Sequence, residues 1–173
     1  MRALVVVTGG TFDKEYDELG GTLSFRKTHL PEMLALGRCR LKTRVLELMM
    51  KDSLNMTAAD RKRILAACRR APENRVVITH GTDTMTETAA ALGRAGLPGK
   101  TVVLTGAMRP YRFGSSDGLF NLGSALSFAQ ALPPGVYIAM NGLVFSWDDV
   151  KKDRRLGIFT CLVGQKTQAR RRA

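Results

Sequence analysis

Short apolar runs alternate along this chain with longer stretches whose apolar residues recur at helical spacing. Ala3-Leu4-Val5-Val6-Val7 is apolar throughout and stops at Thr8-Gly9-Gly10-Thr11. Comparable runs cover Thr43 to Met50, Arg75 to Ile78, Thr101 to Leu104 and Val136 to Met140, with shorter strand-like pieces around Val144 and Ile158. Between them the sequence predicts a helix after Pro31, with Met33, Leu34 and Leu36 on one side and Gly37 at its end. A second helix opens with Thr57 as its N-cap and Asp60 in its first turn, and carries Ile64, Leu65, Ala67 and Cys68 on its apolar face. A third is expected from about Thr84 to Arg94, ended by Gly96 and Pro98-Gly99, and a fourth from about Ser116 to Ala131, ended by Pro133-Pro134-Gly135. Strands without period-2 alternation, spaced by helices, indicate a sheet buried on both faces. The expected fold is therefore a three-layer α/β domain with a mainly parallel sheet and helices on both faces.

Length and composition narrow this picture without changing it. A chain of 173 residues suits one domain and suffices for a substantial core. No apolar run approaches the roughly 18 residues of a membrane-spanning helix, and the apolar start is too short for a signal-peptide core. Cys39, Cys68 and Cys161 are odd in number and lack nearby histidines, so they read as buried or half-buried thiols of a cytoplasmic protein, not as a disulfide set or a zinc site. The formal net charge of +12 raises nucleic acid as a partner. From Val150 onward, however, there are eight basic residues and one acid, so much of the excess belongs to the chain's end. The expected division is a catalytic domain over residues 1–160 and a basic tail over 161–173, with nucleic acid bound at most non-specifically through that tail.

Four predicted strands end in polar loops: Thr8-Gly9-Gly10-Thr11, Lys51-Asp52-Ser53-Leu54-Asn55, His80-Gly81-Thr82-Asp83-Thr84 and Thr105-Gly106-Ala107. In a parallel sheet such loops converge on one edge, where ligands bind. Hydroxyls, carboxylates and backbone N–H groups gathered there suit acyl transfer. Each piece also has a plain structural reading, since Gly-Gly is an ordinary turn and Thr or Asp at a helix start is an ordinary cap. No G-x-G-x-x-G or P-loop spacing is present, and His80 and His29 do not form a triad or a metal centre with other loop residues.

Taken in order, these blocks resemble the bacterial-type L-asparaginase family. The resemblance rests on Thr8-Gly9-Gly10-Thr11, His80 to Met85 with Glu87-Thr88-Ala89, Thr105 to Pro110 with Ser116-Asp117-Gly118 and Asn121-Leu122, and Met140-Asn141-Gly142 followed by Asp149 to Lys152. It covers roughly residues 1–160, as a short single-domain form; the family's usual members continue into a smaller C-terminal domain. The resemblance implies hydrolysis of L-asparagine to L-aspartate and ammonia through a threonine acyl-enzyme, with no cofactor or metal, in a homo-oligomer (dimer or tetramer). It assigns Thr11 as nucleophile, Thr82 and Asp83 as the second threonine and its acid, and Lys152 as their partner. Ser53, Asp83 and Ala107 would hold the substrate, with Asp52 as a further carboxylate beside Ser53. Two alternatives stand beside this reading: a broader amidase or glutaminase, because one methylene gives only modest discrimination, and a basic nucleic-acid-binding module, suggested by the charge.

Overall fold

The computed structural model describes residues 1–162. Beyond Leu162 the expected basic tail lies outside the described residues. The central sheet is built from β1 (Arg2–Gly9), β4 (Lys42–Lys51), β5 (Arg75–Thr79), β6 (Thr101–Thr105), β7 (Gly135–Met140) and β8 (Leu143–Ser146), in the order β4-β1-β5-β6-β7-β8. The first five run parallel, and β8 returns antiparallel along β7. Four helices join them: α1 (Leu30–Leu36), α2 (Ala58–Arg70), α3 (Met85–Ala95) and α4 (Gly118–Ala131). These match the elements expected from the sequence within a few residues.

Two small antiparallel hairpins complete the fold, and of their four strands only the one at Ile158 was expected. One pairs β2 (Lys14–Asp17) with β3 (Thr22–Phe25), and the other pairs β9 (Lys151–Asp153) with β10 (Ile158–Thr160). Both are short and half exposed, so their residues carry little of the hydrophobic signal that marks the central strands.

Alternation along the buried strands sorts the core into two layers. Val5, Val7, Val77 and Val103 meet Met33 of α1 and Leu122, Ala125 and Leu126 of α4. Leu4, Val6, Ile78 and Leu104 meet Ile64 and Cys68 of α2 and Met85 and Leu92 of α3. The start of α2 is held by a capping box: Thr57 accepts from the Asp60 N–H, and Asp60 accepts from the Thr57 N–H at 2.8 Å. Lys51, the last residue of β4, donates to the same carboxylate at 2.6 Å and drives its pKa far below the usual range. Of the three cysteines only Cys68 is buried, and burial pushes its pKa up to about 12; Cys39 and Cys161 are exposed, contrary to the sequence expectation. Cys39 lies two residues beyond Gly37, in the exposed connection from α1 to β4, and Cys161 follows β10 near the end of the described residues.

In strand order the sheet reverses direction between β1 and β5, because one crossover leads out to β4 and the next leads back past β1. Loops leaving such a switch point diverge and open a crevice. Here the two loops meet at glycines. Gly10 has φ +78, and a Cβ on it would lie 2.3 Å from the Gly81 nitrogen. A Cβ on Gly81 would in turn lie 2.5 Å from Ser53 Oγ, and one on Gly106 2.4 Å from the His80 carbonyl oxygen. Three glycines therefore let all four strand-end loops close on one another. Gly10→Ala should cost about 3 kcal/mol in urea unfolding, from left-handed strain plus a backbone collision. Gly99→Ala, at φ +73 with nothing within 4 Å, should cost only about 1 kcal/mol. Equal losses would show that Gly10 is kept for its dihedral alone.

Candidate active site

The β9–β10 hairpin places Lys152 opposite Phe159, with its side chain only 10% exposed. Its Nζ reaches across to the loop after β5, donating to Thr82 Oγ1 at 2.8 Å and to Asp83 Oδ1 at 2.7 Å. Asp83 remains 40% exposed, so the pair sits at the mouth of the crevice and not in the core. Thr82 is buried, and its hydroxyl donates in turn toward Met108 Sδ at 3.7 Å. A lysine, a hydroxyl and a carboxylate thus share one polar contact, and the three come from segments about 70 residues apart in sequence.

Thr11 directly follows Gly10 and opens a single 3-10 turn over Thr11–Asp13. The two residues after it are anchors. Phe12 is fully buried, and buried Asp13 accepts from the His29 N–H at 2.8 Å and from Thr28 Oγ1 at 3.1 Å. Burial raises the Asp13 pKa above its ordinary value, against the lowering effect of those two donors. Thr11 itself is half-buried, and its hydroxyl has no hydrogen-bond partner among the described residues. Because Gly10 abuts Gly81, Thr11 and Thr82 each lie one residue from the same contact.

Ser53 is buried against Gly81, and its carbonyl accepts from Thr84 Oγ1 at 2.8 Å. Ala107 is buried beyond β6, and the carbonyl before it, on Gly106, accepts from Asn121 Nδ2 at 2.9 Å. Asp52 has a different setting. Its carboxylate pairs with Lys14 of β2 at 2.5 Å and accepts from the Leu54 N–H, and Lys14 holds its pKa below the usual carboxylate range. The structure therefore brings Thr11, Ser53, Thr82, Asp83, Ala107 and Lys152 to one edge, while Asp52 ties the β2–β3 hairpin to the Ser53 loop.

A family model described as "Asparaginase, N-terminal" matches residues 2–158. The chain belongs to the asparaginase family. The L-asparaginase of Thermococcus kodakarensis is 32% identical over 164 residues, which span 91% of this chain and 49% of that protein. The solved structure of the thermostable L-asparaginase from the same organism superposes with a TM-score of 0.81 over 93% of this chain and 51% of its own. A probable cytoplasmic L-asparaginase from Campylobacter jejuni, 30% identical, gives 0.81 over 92% and 52%. A glutaminase-asparaginase of Acinetobacter glutaminasificans is 48% identical, but over only 46% of this chain and 25% of that protein. The chain spans about half the length of the relatives it matches at full coverage.

Within this asparaginase N-terminal domain, sequence reasoning overlooked two braces. Lys14 falls in a polar run, Asp13-Lys14-Glu15-Tyr16-Asp17, that carries no apolar alternation to mark a strand. Asn121 belongs to a quoted motif, but nothing in sequence shows that its side chain links three segments. It donates to the Gly106 carbonyl and the Asp117 carboxylate, and accepts from the Asn141 N–H at 2.9 Å. Asp117 also accepts from the Met108 and Arg109 N–H groups, so it fixes the loop beneath Met108.

His80 is held by structural hydrogen bonds. Its Nδ1 lies 2.7 Å from the Gly81 carbonyl, which can only accept, so Nδ1 carries the proton and Nε2 accepts from Thr88 Oγ1 at 2.8 Å. Burial drives its pKa down to about 4. A histidine with a lowered folded pKa binds fewer protons than the unfolded chain. Its stabilisation is therefore complete above pH 6.5 and lost as pH falls toward 4. The loss attributable to His80 should reach about 3 kcal/mol by pH 4, from 1.36 kcal/mol per pH unit. Urea unfolding from pH 7 to 4 should show a steeper decline for the wild type than for His80→Gln; parallel curves would contradict a buried neutral imidazole.

Proposed function

We propose that the chain hydrolyses the side-chain amide of L-asparagine to L-aspartate and ammonia. The observation that carries this reading is the Lys152–Thr82–Asp83 contact, set one residue from the Gly10–Gly81 junction that also positions Thr11. Thr11 Oγ attacks the amide carbon, and its proton passes by way of Thr82 Oγ to Lys152 Nζ. The carbon–nitrogen bond then breaks, ammonia leaves with a proton returned from Lys152, and an ester on Thr11 remains. Water attacks that ester, its proton follows the same route, and Thr11 leaves as the hydroxyl while aspartate is released. Asp83 holds Lys152 in place at 2.7 Å. Ser53 and Asp83 orient the substrate's carboxylate and ammonium ends, and Ala107 lines the amide end. Asp52 contributes less directly, since Lys14 already neutralises it.

A broader amidase activity is the second reading, favoured by the 48% identity to a glutaminase-asparaginase. Ammonia release measured beside L-glutamine and D-asparagine decides between them. The chain acts in this proposal in the cytoplasm, as one related structure's name suggests, and as a homo-oligomer. Exposed Phe120, Leu143 and Leu156 at the catalytic end offer apolar surface for self-association.

Thr11→Val should lower kcat at least a hundredfold while preserving the unfolding midpoint. More than a tenth of the wild-type kcat would remove Thr11 as nucleophile. Lys152→Met should collapse kcat, and Lys152→Arg should not rescue it, because a guanidinium does not surrender its proton. Lys151 sits next to it on β9 but across the strand, since neighbouring side chains alternate. Lys151→Met should change kcat less than threefold, so similar losses from the two methionine variants would overturn the Lys152 assignment.

A further inference from the structure

At the opposite edge of the sheet, by the amino ends of β1 and β4, a groove of about 800 Å³ opens between α1 and α4. That volume lies within the range of small-molecule sites, about 300–1,000 Å³. Its floor is apolar, formed by Met33 and Leu34 of α1 and by Leu119, Leu122 and Leu126 of α4. Two glycines keep it open. Gly37 ends α1, and Gly123 lies mid-helix in α4, where a Cβ would meet nothing within 4 Å. A glycine in a helix interior costs roughly 0.5–1 kcal/mol relative to alanine, so an open path across α4 here is held against helix propensity.

The rim carries charge of one sign. Arg2, Arg40 and Lys42 line the groove, and no aspartate or glutamate does. None of these three has an ion-pair partner among the described residues. Glu73, beside Arg2 and Lys42 at the foot of the strands, is already held by Arg44 through two bonds of 2.8 Å. An apolar floor under an unpaired cationic rim complements an anion with an aliphatic body. A second copy of the chain docked two-fold on this groove would bring the like-charged rims together. The chain's own basic tail carries the same sign.

We propose that the α1–α4 groove binds a single-chain aliphatic carboxylate, its chain along the leucines and its head group between Arg40 and Lys42. This site is separate from the catalytic edge and does not depend on the asparaginase reading. Calorimetric titration with sodium dodecanoate below its micelle concentration tests it. One molecule should bind per chain, at least tenfold more tightly than dodecyltrimethylammonium, which has a tail of similar length and the opposite charge. Arg40→Glu with Lys42→Glu should weaken dodecanoate binding at least tenfold. Gly123→Leu, which fills the groove from a position with room for a side chain and raises helix propensity, should abolish binding without lowering the melting temperature. Equal affinity for the two amphiphiles, unsaturable uptake, or unchanged binding by Gly123→Leu would overturn the proposal. So would a wild-type dimer that Gly123→Leu dissociates, because the occupant would then be a second copy.

Discussion

The close approach of backbone at Gly10, Gly81 and Gly106 is the constraint on which the rest of this site depends. A parallel sheet delivers its loops to one edge, but side chains normally hold those loops apart by several ångströms. With no Cβ at these three positions, the loop after β1 touches the loop after β5. That loop touches the Ser53 segment on one side and the β6 loop on the other. The contact falls at the reversal of strand order, where the crossovers leave for opposite faces and a crevice is unavoidable. Position in the topology makes the cleft, and glycine lets hydroxyls from separate strands enter it together.

On that frame the electrostatics are arranged in neutral pairs. Lys152 is matched by Asp83, Lys14 by Asp52, and Lys51 by Asp60, each at 2.5–2.7 Å. Two of the three are structural ties between elements: Lys14 to Asp52 fastens the β2–β3 hairpin to the Ser53 loop, and Lys51 to Asp60 fastens β4 to α2. The Lys152 pair is the one that meets the Thr82 hydroxyl, one residue from the Gly10–Gly81 contact. Part of the net excess of +12 lies on the groove rim between α1 and α4, and part from Val150 onward.

Much of this was legible in the sequence because it rests on strong, local signals. Ala3 to Val7 could only be a buried strand, and Thr57 with Asp60 three residues later is a helix start whose capping box forms as expected. The strand-end loops were legible for a different reason: Thr11, Ser53, Thr82, Asp83 and Ala107 sit in ordered blocks after strands of a parallel sheet, which converge on one edge. What stayed hidden was carried by polar residues acting over distance. Nothing in the sequence couples Lys14 to Asp52 across 38 positions, or Asn121 to the Gly106 carbonyl. Three of the four hairpin strands escaped because half-exposed strands of three or four residues lack the apolar pattern that marks the central sheet; the apolar piece at Ile158 was visible. Residue type alone marks Cys39 as buried or half-buried, but it lies in an exposed connection.

The central claim is that Thr11, brought beside Thr82 by glycine contacts, forms an ester with the substrate. Acid quenching of the purified chain during turnover of L-asparagine, followed by proteolysis and mass spectrometry, tests it most directly. The account predicts one aspartyl adduct, on the peptide containing Thr11, that disappears when the substrate is exhausted. An adduct on the Thr82 peptide, or ammonia release with no acylated peptide at any time, would contradict it.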